Sequence, residues 1–185
     1  MKLFQTINDL SDPVQAEIAR QRRYGVIEMV DGQLVGIHFR PFPKQVTIWQ
    51  ALLVGQWCHK YRAGDRCRLY FNQPLRHPNY LSLKYVLSNR DTKLASALGA
   101  LRVLDEVARI KQSDAILADA ANLRISPRLL NRLGWERHTA SRWHRNYIRR
   151  FYGQYTSDER LSAESSSLSS RPPSLAAHTA SGTQC

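Results

Sequence analysis

The stretch Ser113 to His138, SDAILADAANLRISPRLLNRLGWERH, decides how this chain folds. Its first part, Ala115 to Ala120, is a short apolar run of the kind that forms a buried strand. Asn122 breaks the run. Ser126 to Leu133 reads as a short helix, and Gly134 supplies the positive φ that ends one. Trp135 follows directly. Strand, polar break, helix and Gly-aromatic end form one unit, and the elements on either side must be arranged around it.

Upstream, Thr92 to Lys111 is the most regular helical pattern in the chain. Leu94, Leu98, Leu101, Leu104 and Ala108 fall on one face, and Val103, Val107 and Ile110 widen it. Before it, Tyr80 to Leu87 alternates in the manner of a strand. Strand, long helix and second strand make a βαβ unit, which brings two parallel strands together. Further upstream, YGVIEMV and QLVGIHF flank Asp31-Gly32, a pair that suits a type I′ turn. The expected strands are Tyr24 to Val30 and Gln33 to Phe39. Asp12 is a good N-cap for a first helix, with Pro13 at its first position and Gln15 placed for a capping box. Its apolar face is Val14, Ile18 and Ala19, and Arg20-Gln21-Arg22-Arg23 suits the negative pole of a helix. Between hairpin and βαβ unit, Lys44 to Arg62 repeats Val46, Trp49, Leu53, Trp57 and Tyr61 at helical spacing, and Cys67 to Phe71 reads as a strand. The expected class is α/β (α+β), a mixed β-sheet flanked by helices.

Downstream, Arg137 to Tyr155 interleaves arginines with aromatics. On a helix, Trp143, Tyr147, Ile148, Phe151 and Tyr152 form one stripe and Arg142, Arg145 and Arg149 another; on a strand, aromatic and arginine share a face. The pattern therefore predicts a helix. Arg137, Arg142, Arg145, Arg149 and Arg150 are candidate nucleic-acid contacts, with the aromatics available for base stacking. The simpler reading is a terminal helix docked by its aromatic stripe with a solvated arginine face.

Composition bounds the rest. The chain has 185 residues, 43% hydrophobic, enough for one core. Residues 1–153 are expected to form a single domain. Residues 154–185 are rich in Ser and Ala, contain Pro172-Pro173, and are expected to be a disordered tail. The net charge is +12, and three acids (Asp158, Glu159, Glu164) against two arginines (Arg160, Arg171) give the tail −1, so the domain carries +13. Such a charge suits nucleic acid, an anionic membrane or acidic small molecules. Cys58, Cys67 and Cys185 are an odd set with no disulfide framework, and the start MKLFQTINDLSD lacks the apolar core of a signal peptide. No apolar run reaches membrane-spanning length, so a cytoplasmic location is expected. Cys58, His59, Cys67 and His77 match no zinc-site spacing, and no metal is expected.

A hairpin followed by strand, helix, strand and helix, ending in an apolar-Gly-aromatic triplet, resembles the GNAT acyltransferase superfamily. Residues Tyr80 to Glu136 carry the resemblance. Leu129-Leu130-Asn131-Arg132-Leu133-Gly134-Trp135 is similar to that family's Leu-Tyr-x-x-x-Gly-Phe pattern, and Arg90-Asp91-Thr92-Lys93-Leu94-Ala95 to its pyrophosphate loop, R/Q-x-x-G-x-G/A. The resemblance implies an N-acyltransferase using acetyl-CoA or another acyl-CoA with an unknown acceptor, and the positive charge points to an acidic or nucleic-acid-linked one. Leu87, Arg90, Thr92, Lys93, Leu94 and Asn122 would then hold the cofactor. Two positions depart from the family. Lys93 stands where glycine lets backbone N–H groups approach phosphate, and Leu130 where a tyrosine often protonates the departing thiolate. Tyr85, His138 and His144 are other proton donors by type. The alternative is a non-catalytic basic protein of the same fold that binds nucleic acid or another polyanion.

Overall fold

The computed structural model describes residues 4–42, 64–119, 127–140 and 145–155. The chain divides into Met1–Tyr155 and Thr156–Cys185. Residues 156–185 of the expected tail, the expected helix from Lys44 to Arg62, Asn122, Arg142 and His144 lie outside the described residues. The first two tail residues, Gln154 and Tyr155, belong instead with the domain: Tyr155 packs against the core and its hydroxyl donates to the Ser113 carbonyl at 3.1 Å.

Eight strands form one sheet: β1 (Gln5–Ile7), β2 (Tyr24–Val30), β3 (Gln33–Arg40), β4 (Arg66–Asn72), β5 (Tyr80–Ser88), β6 (Ala115–Asp119), β7 (Glu136–Ala140) and β8 (Arg145–Arg150), in the order β1-β3-β2-β4-β5-β6-β8-β7. β5 and β6 run parallel, and the other described pairings are antiparallel. Three described helices accompany the sheet: α1 (Pro13–Gln21), α2 (Leu94–Ile110) and α3 (Pro127–Arg132). The mixed α/β class read from the sequence is the observed one.

The β2–β3 turn has Asp31 at φ 49° and Gly32 at φ 79°, the positive values that an Asp-Gly pair accepts. Asp12 caps α1, its side chain accepting from the Val14 N–H at 2.9 Å. Gln15 does more than close a capping box. It donates to Asp12 and accepts from the N–H groups of Asn8 and Asp9, fixing the chain that enters the helix. Val14, expected on the apolar face, is 67% exposed; Ala16, Ile18 and Ala19 do the packing.

α2 lies against β2, β3 and β4, and α1 packs on α2. Ala100, Leu104, Val107 and Ala108 of α2 meet Ile27, Met29, Ile37, Phe39, Leu69 and Phe71 of the sheet in one core. Full burial of each larger side chain stabilises by about 1.5–3 kcal/mol. The helix starts two residues later than its pattern suggests, and Leu94 is 55% exposed. The reason is local: its first turn sits over polar groups, described below, and the apolar face begins a turn later.

At its other end, α2 is clasped to α1. Arg20 Nε donates to the Ile110 carbonyl at 3.3 Å. Lys111 Nζ donates back to the carbonyls of Arg20 (3.0 Å) and Arg22 (2.6 Å) and to Gln73 Oε1 (3.1 Å). Each helix end thus has its orphan carbonyls satisfied by a cation from the other. Burial, with Arg23 nearby, pushes the Lys111 amine down to about 8.

α3 ends in a Schellman turn. The Trp135 N–H donates to the Leu130 carbonyl at 2.9 Å, the Gly134 N–H to Asn131 at 3.0 Å, and Gly134 has φ 76°. Trp135 is buried against the core.

The helix expected over Arg137 to Tyr155 is replaced by β7 and β8, an antiparallel pair that continues the sheet beyond β6. Sharing a strand face between arginine and aromatics counted against this reading in the sequence. It is tolerated because Arg149 Nη2 meets Asp105 Oδ2 of α2 at 3.0 Å, so Tyr147, Arg149 and Phe151 are all buried. The contact is ionic and off the hydrogen-bond axis. Burial outweighs Arg149 at Asp105 and pushes its carboxyl up to about 6.

Candidate functional site

The βαβ unit positions the candidate site. β5 and β6 pair in parallel from Tyr80↔Ala115 to Leu83↔Ala118, the last pair among the described residues. β5 continues to Ser88, held on its other side by β4. The register between β4 and β5 slips at the same point: Tyr70 pairs with Tyr85 and Phe71 with Leu83, leaving Lys84 as the extra residue of a bulge. A bulge sharpens the local twist and bends its strand. Here it directly follows the last described pair with β6. Along residues 84–88 the β6-facing side of β5 has no strand partner among the described residues.

Leu87, at the end of this stretch, pairs with Arg68. The chain then turns into α2 through Arg90 and Asp91, both exposed. Thr92 turns its hydroxyl to the Arg66 carbonyl at 2.9 Å. Lys93 is the N-cap, its side chain making no capping bond. Leu87 thus lies near the end of β5, Arg90, Thr92, Lys93 and Leu94 follow along the turn into α2, and Asn122 lies outside the described residues.

The start of α2 already holds a carboxylate, one the sequence reading passed over. Asp65 Oδ1 accepts from the Lys93 N–H at 3.2 Å, and its Oδ2 accepts from the Ser96 hydroxyl at 2.7 Å. Ser96 Oγ in turn accepts from the Gly32 N–H at 2.9 Å, and the Asp31 N–H donates to the Asp65 carbonyl at 2.9 Å. Asp65 is 7% exposed and Ser96 fully buried. A second carboxylate, Asp91 Oδ2, accepts from the Gly64 N–H at 3.1 Å. Coenzyme A is the group the resemblance implies; at this helix start Asp65 takes the cap N–H of Lys93 with Asp91 nearby, while the N–H groups of Leu94 and Ala95 have no partner among the described residues and could face a phosphate.

Tyr85 lies on the unpaired stretch. Its ring stacks on Tyr70 at 4.1 Å between centroids, and its hydroxyl is buried without a hydrogen bond. Burial pushes the phenol up to about 12, with Tyr70 adding to the shift and Arg40 opposing it. The shift makes it a weaker acid than an ordinary phenol. The cavity beside it, lined by Arg40, Asn72, Lys84 and Tyr85 among others, has a volume of about 40 Å³; that is room for water, not substrate. Leu130 contributes its carbonyl to the Schellman turn and an apolar side chain to the core. His138 is half-buried on β7.

Two of the five candidate nucleic-acid arginines are engaged within the protein. Arg149 is 7% exposed and ion-paired with Asp105, and Arg150 pairs with Glu136. Arg137 is exposed. On the other half of the sheet, Arg66 and Arg68 both donate to Glu28, whose Oε2 also lies 3.2 Å from His38 Nε2. Burial would raise the Glu28 carboxyl, but the bonds from Arg68 and Arg66 outweigh it and hold it below its usual value. Cys67 is buried, and burial with Asp65 nearby pushes its thiol up to about 11, so it is not a reactive thiol. Among the described residues no three His, Cys, Asp or Glu side chains gather as a metal site, and no helix is long and apolar enough to cross a membrane.

No family model matches the chain, and no curated protein matches it. Among solved structures, it is similar to the crystal structure of nourseothricin acetyltransferase. The two are 10% identical, with 80% of this chain and 99% of that one covered and a TM-score of 0.36. The fold described above rests on the strand order and register, not on that likeness.

Proposed function

We propose that the chain is a GNAT-like protein that takes an acyl thioester along the β6-facing side of β5 beyond Leu83 and serves N-acyl transfer to an amine. The observation that carries this reading is that, among the described residues, the β5–β6 pairing ends at Leu83↔Ala118 while β5 runs on to Ser88 past a bulge at Lys84. Backbone N–H and C=O groups inside a sheet need partners. An extended, amide-bearing thioester arm supplies them as an added strand does. The amine nitrogen would add to the thioester carbonyl carbon and lose a proton, and the C–S bond would break to leave an amide and a thiol. The basic domain favours an acceptor that carries negative charge.

Thermal unfolding in the presence of 1 mM acetyl-CoA tests the reading. A ligand at ~100 times its Kd adds about 2.7 kcal/mol, a rise of several degrees in Tm for a domain of this size. An unchanged Tm at that concentration overturns it.

A further inference from the structure

We infer that the cavity lined by Arg40, Asn72, Lys84 and Tyr85 is a subsite for a small hydroxylated anion, which seats a hydroxyl inside and sets its charge on Arg40 and Lys84. The inference stands apart from the acyl-thioester reading, and binding alone tests it.

The strand registers bring these residues to one face of the sheet. Arg40 pairs with Tyr24 and Tyr24 with Asn72, a row across β3, β2 and β4. Val26, Tyr70 and Tyr85 form the next row. Side chains of paired residues point to the same side of a sheet. This is the side away from α2, because Ile27 and Phe71 alternate with these residues and join Leu104 and Ala108 of α2 in the core. On a regular strand Lys84 would point away from Tyr85. The bulge removes that alternation, and both line the cavity.

Two polar groups here lack partners. Asn72 Oδ1 and the Tyr85 hydroxyl are buried with no hydrogen bond. Buried polar groups are satisfied by protein, water or ligand. Asn72 Oδ1 needs a donor, and the Tyr85 phenol, raised to about 12, keeps a proton to offer. A hydroxyl meets both needs, donating to Asn72 and accepting from Tyr85. The volume of about 40 Å³ admits a group of that size, so the body of the ligand stays outside. Phe42, largely exposed, lines the open side.

The charge of the lining sets the rest. Arg40 and Lys84 both line the cavity, and among the described residues no acid does. Further along the same face the cations are neutralised, Arg66 and Arg68 both donating to Glu28. The cations left over attract an anion. They also disfavour an ammonium group inside, which would meet like charge in a site shielded from water. The ligand class is a small carboxylate or phosphate with a hydroxyl close to its charge.

Titration calorimetry on the full chain tests this with glycerate and glycerol phosphate. Propionate and propyl phosphate lack the hydroxyl, and alanine puts an ammonium group in its place. At least one hydroxylated anion is expected to bind about tenfold or more tighter than its counterpart without the hydroxyl, and the tighter of the two identifies the anion as carboxylate or phosphate. Alanine is expected to bind no better than propionate. Tyr85→Phe removes a hydroxyl that makes no bond within the protein, so the fold is kept. It should cost about tenfold in affinity, and Arg40→Ala at least as much. Equal binding with and without the hydroxyl overturns the inference. So does binding that both substitutions leave unchanged, which places the anion elsewhere on the basic surface. Alanine binding as tightly as glycerate overturns the choice of a hydroxyl, and no binding by any of the five compounds leaves the cavity to water and overturns the subsite.

Discussion

The two ends of α2 are closed in opposite ways. At the start, the helix has no acidic residue of its own in the first turn, and the carboxylate comes from Asp65, distant in sequence. At the end, the helix is followed by its own cation, Lys111, which is used on the carbonyls of α1. Each charge has the sign its helix pole favours. The start satisfies one N–H and a hydroxyl with a borrowed carboxylate that only accepts. The end satisfies carbonyls with a desolvated amine that only donates. The same long-range device thus serves both poles, with the chemistry of the borrowed group set by the sign of the pole.

Substitutions along the helix rank these contacts. The largest effect is expected between the two ends, at Asp105→Ala, which leaves Arg149 buried without its carboxylate. Such a change costs about 3–5 kcal/mol, read by urea unfolding at pH 7. A loss under 1 kcal/mol would show that Arg149 reaches solvent. The wild-type carboxyl, raised to about 6, contributes stability that is full below pH ~4 and lost as the pH rises through 6; that component disappears in the variant.

Asp65→Ala comes next, at about 2–3 kcal/mol, because it removes hydrogen bonds to a charged acceptor and leaves the Ser96 hydroxyl and the Lys93 N–H without it. Faster amide exchange at Lys93 should accompany the loss. Unchanged protection there would mean that the carboxylate does not close this pole.

Lys111→Met is expected to cost about 1–3 kcal/mol at pH 7, since three acceptors lose their donor while a desolvated charge is also removed. Its signature is in the pH profile. The folded amine titrates near 8 and the unfolded one near 10.5. Between these values the unfolded chain binds more protons, so wild-type stability gains a rising component from pH 8 to 10.5 that the variant lacks. Parallel profiles for the two proteins would refute the assignment. The smallest effect belongs to Leu94→Ala, within about 0.5 kcal/mol, because the side chain is more than half exposed.

Leu94 also marks where the sequence can be read and where it cannot. Periodicity identified α2 but not which of its leucines reach the core, because the first turn faces Asp65 and Gly32 rather than apolar strands. The β2–β3 hairpin was legible because Asp31-Gly32 fixes its own geometry. The parallel β5–β6 pair was legible because a long helix between two strands leaves few other arrangements. β7 and β8 were not. The face shared by Tyr147, Arg149 and Phe151 makes sense only with Asp105 beneath it, and no local pattern points to that partner. Asp65 was missed for a related reason. After Gly64 it looks like a turn residue, and its function depends on Lys93 and Ser96 arriving from another element. Leu130 could be read as the absence of a phenol. Its contribution to the turn at Gly134 needed the backbone to be seen.

The strand order has one more consequence, for self-association. β1 and β7 stand at the two rims of the described sheet, and a rim strand with open N–H and C=O groups is a template on which another chain can build. β1 is only three residues long. β7 presents Glu136 and Arg137 to solvent, and its register with β8 slips between Arg137 and Ala140. Brevity at one rim, and charge with irregular pairing at the other, make both poor templates for strand addition by a neighbouring molecule.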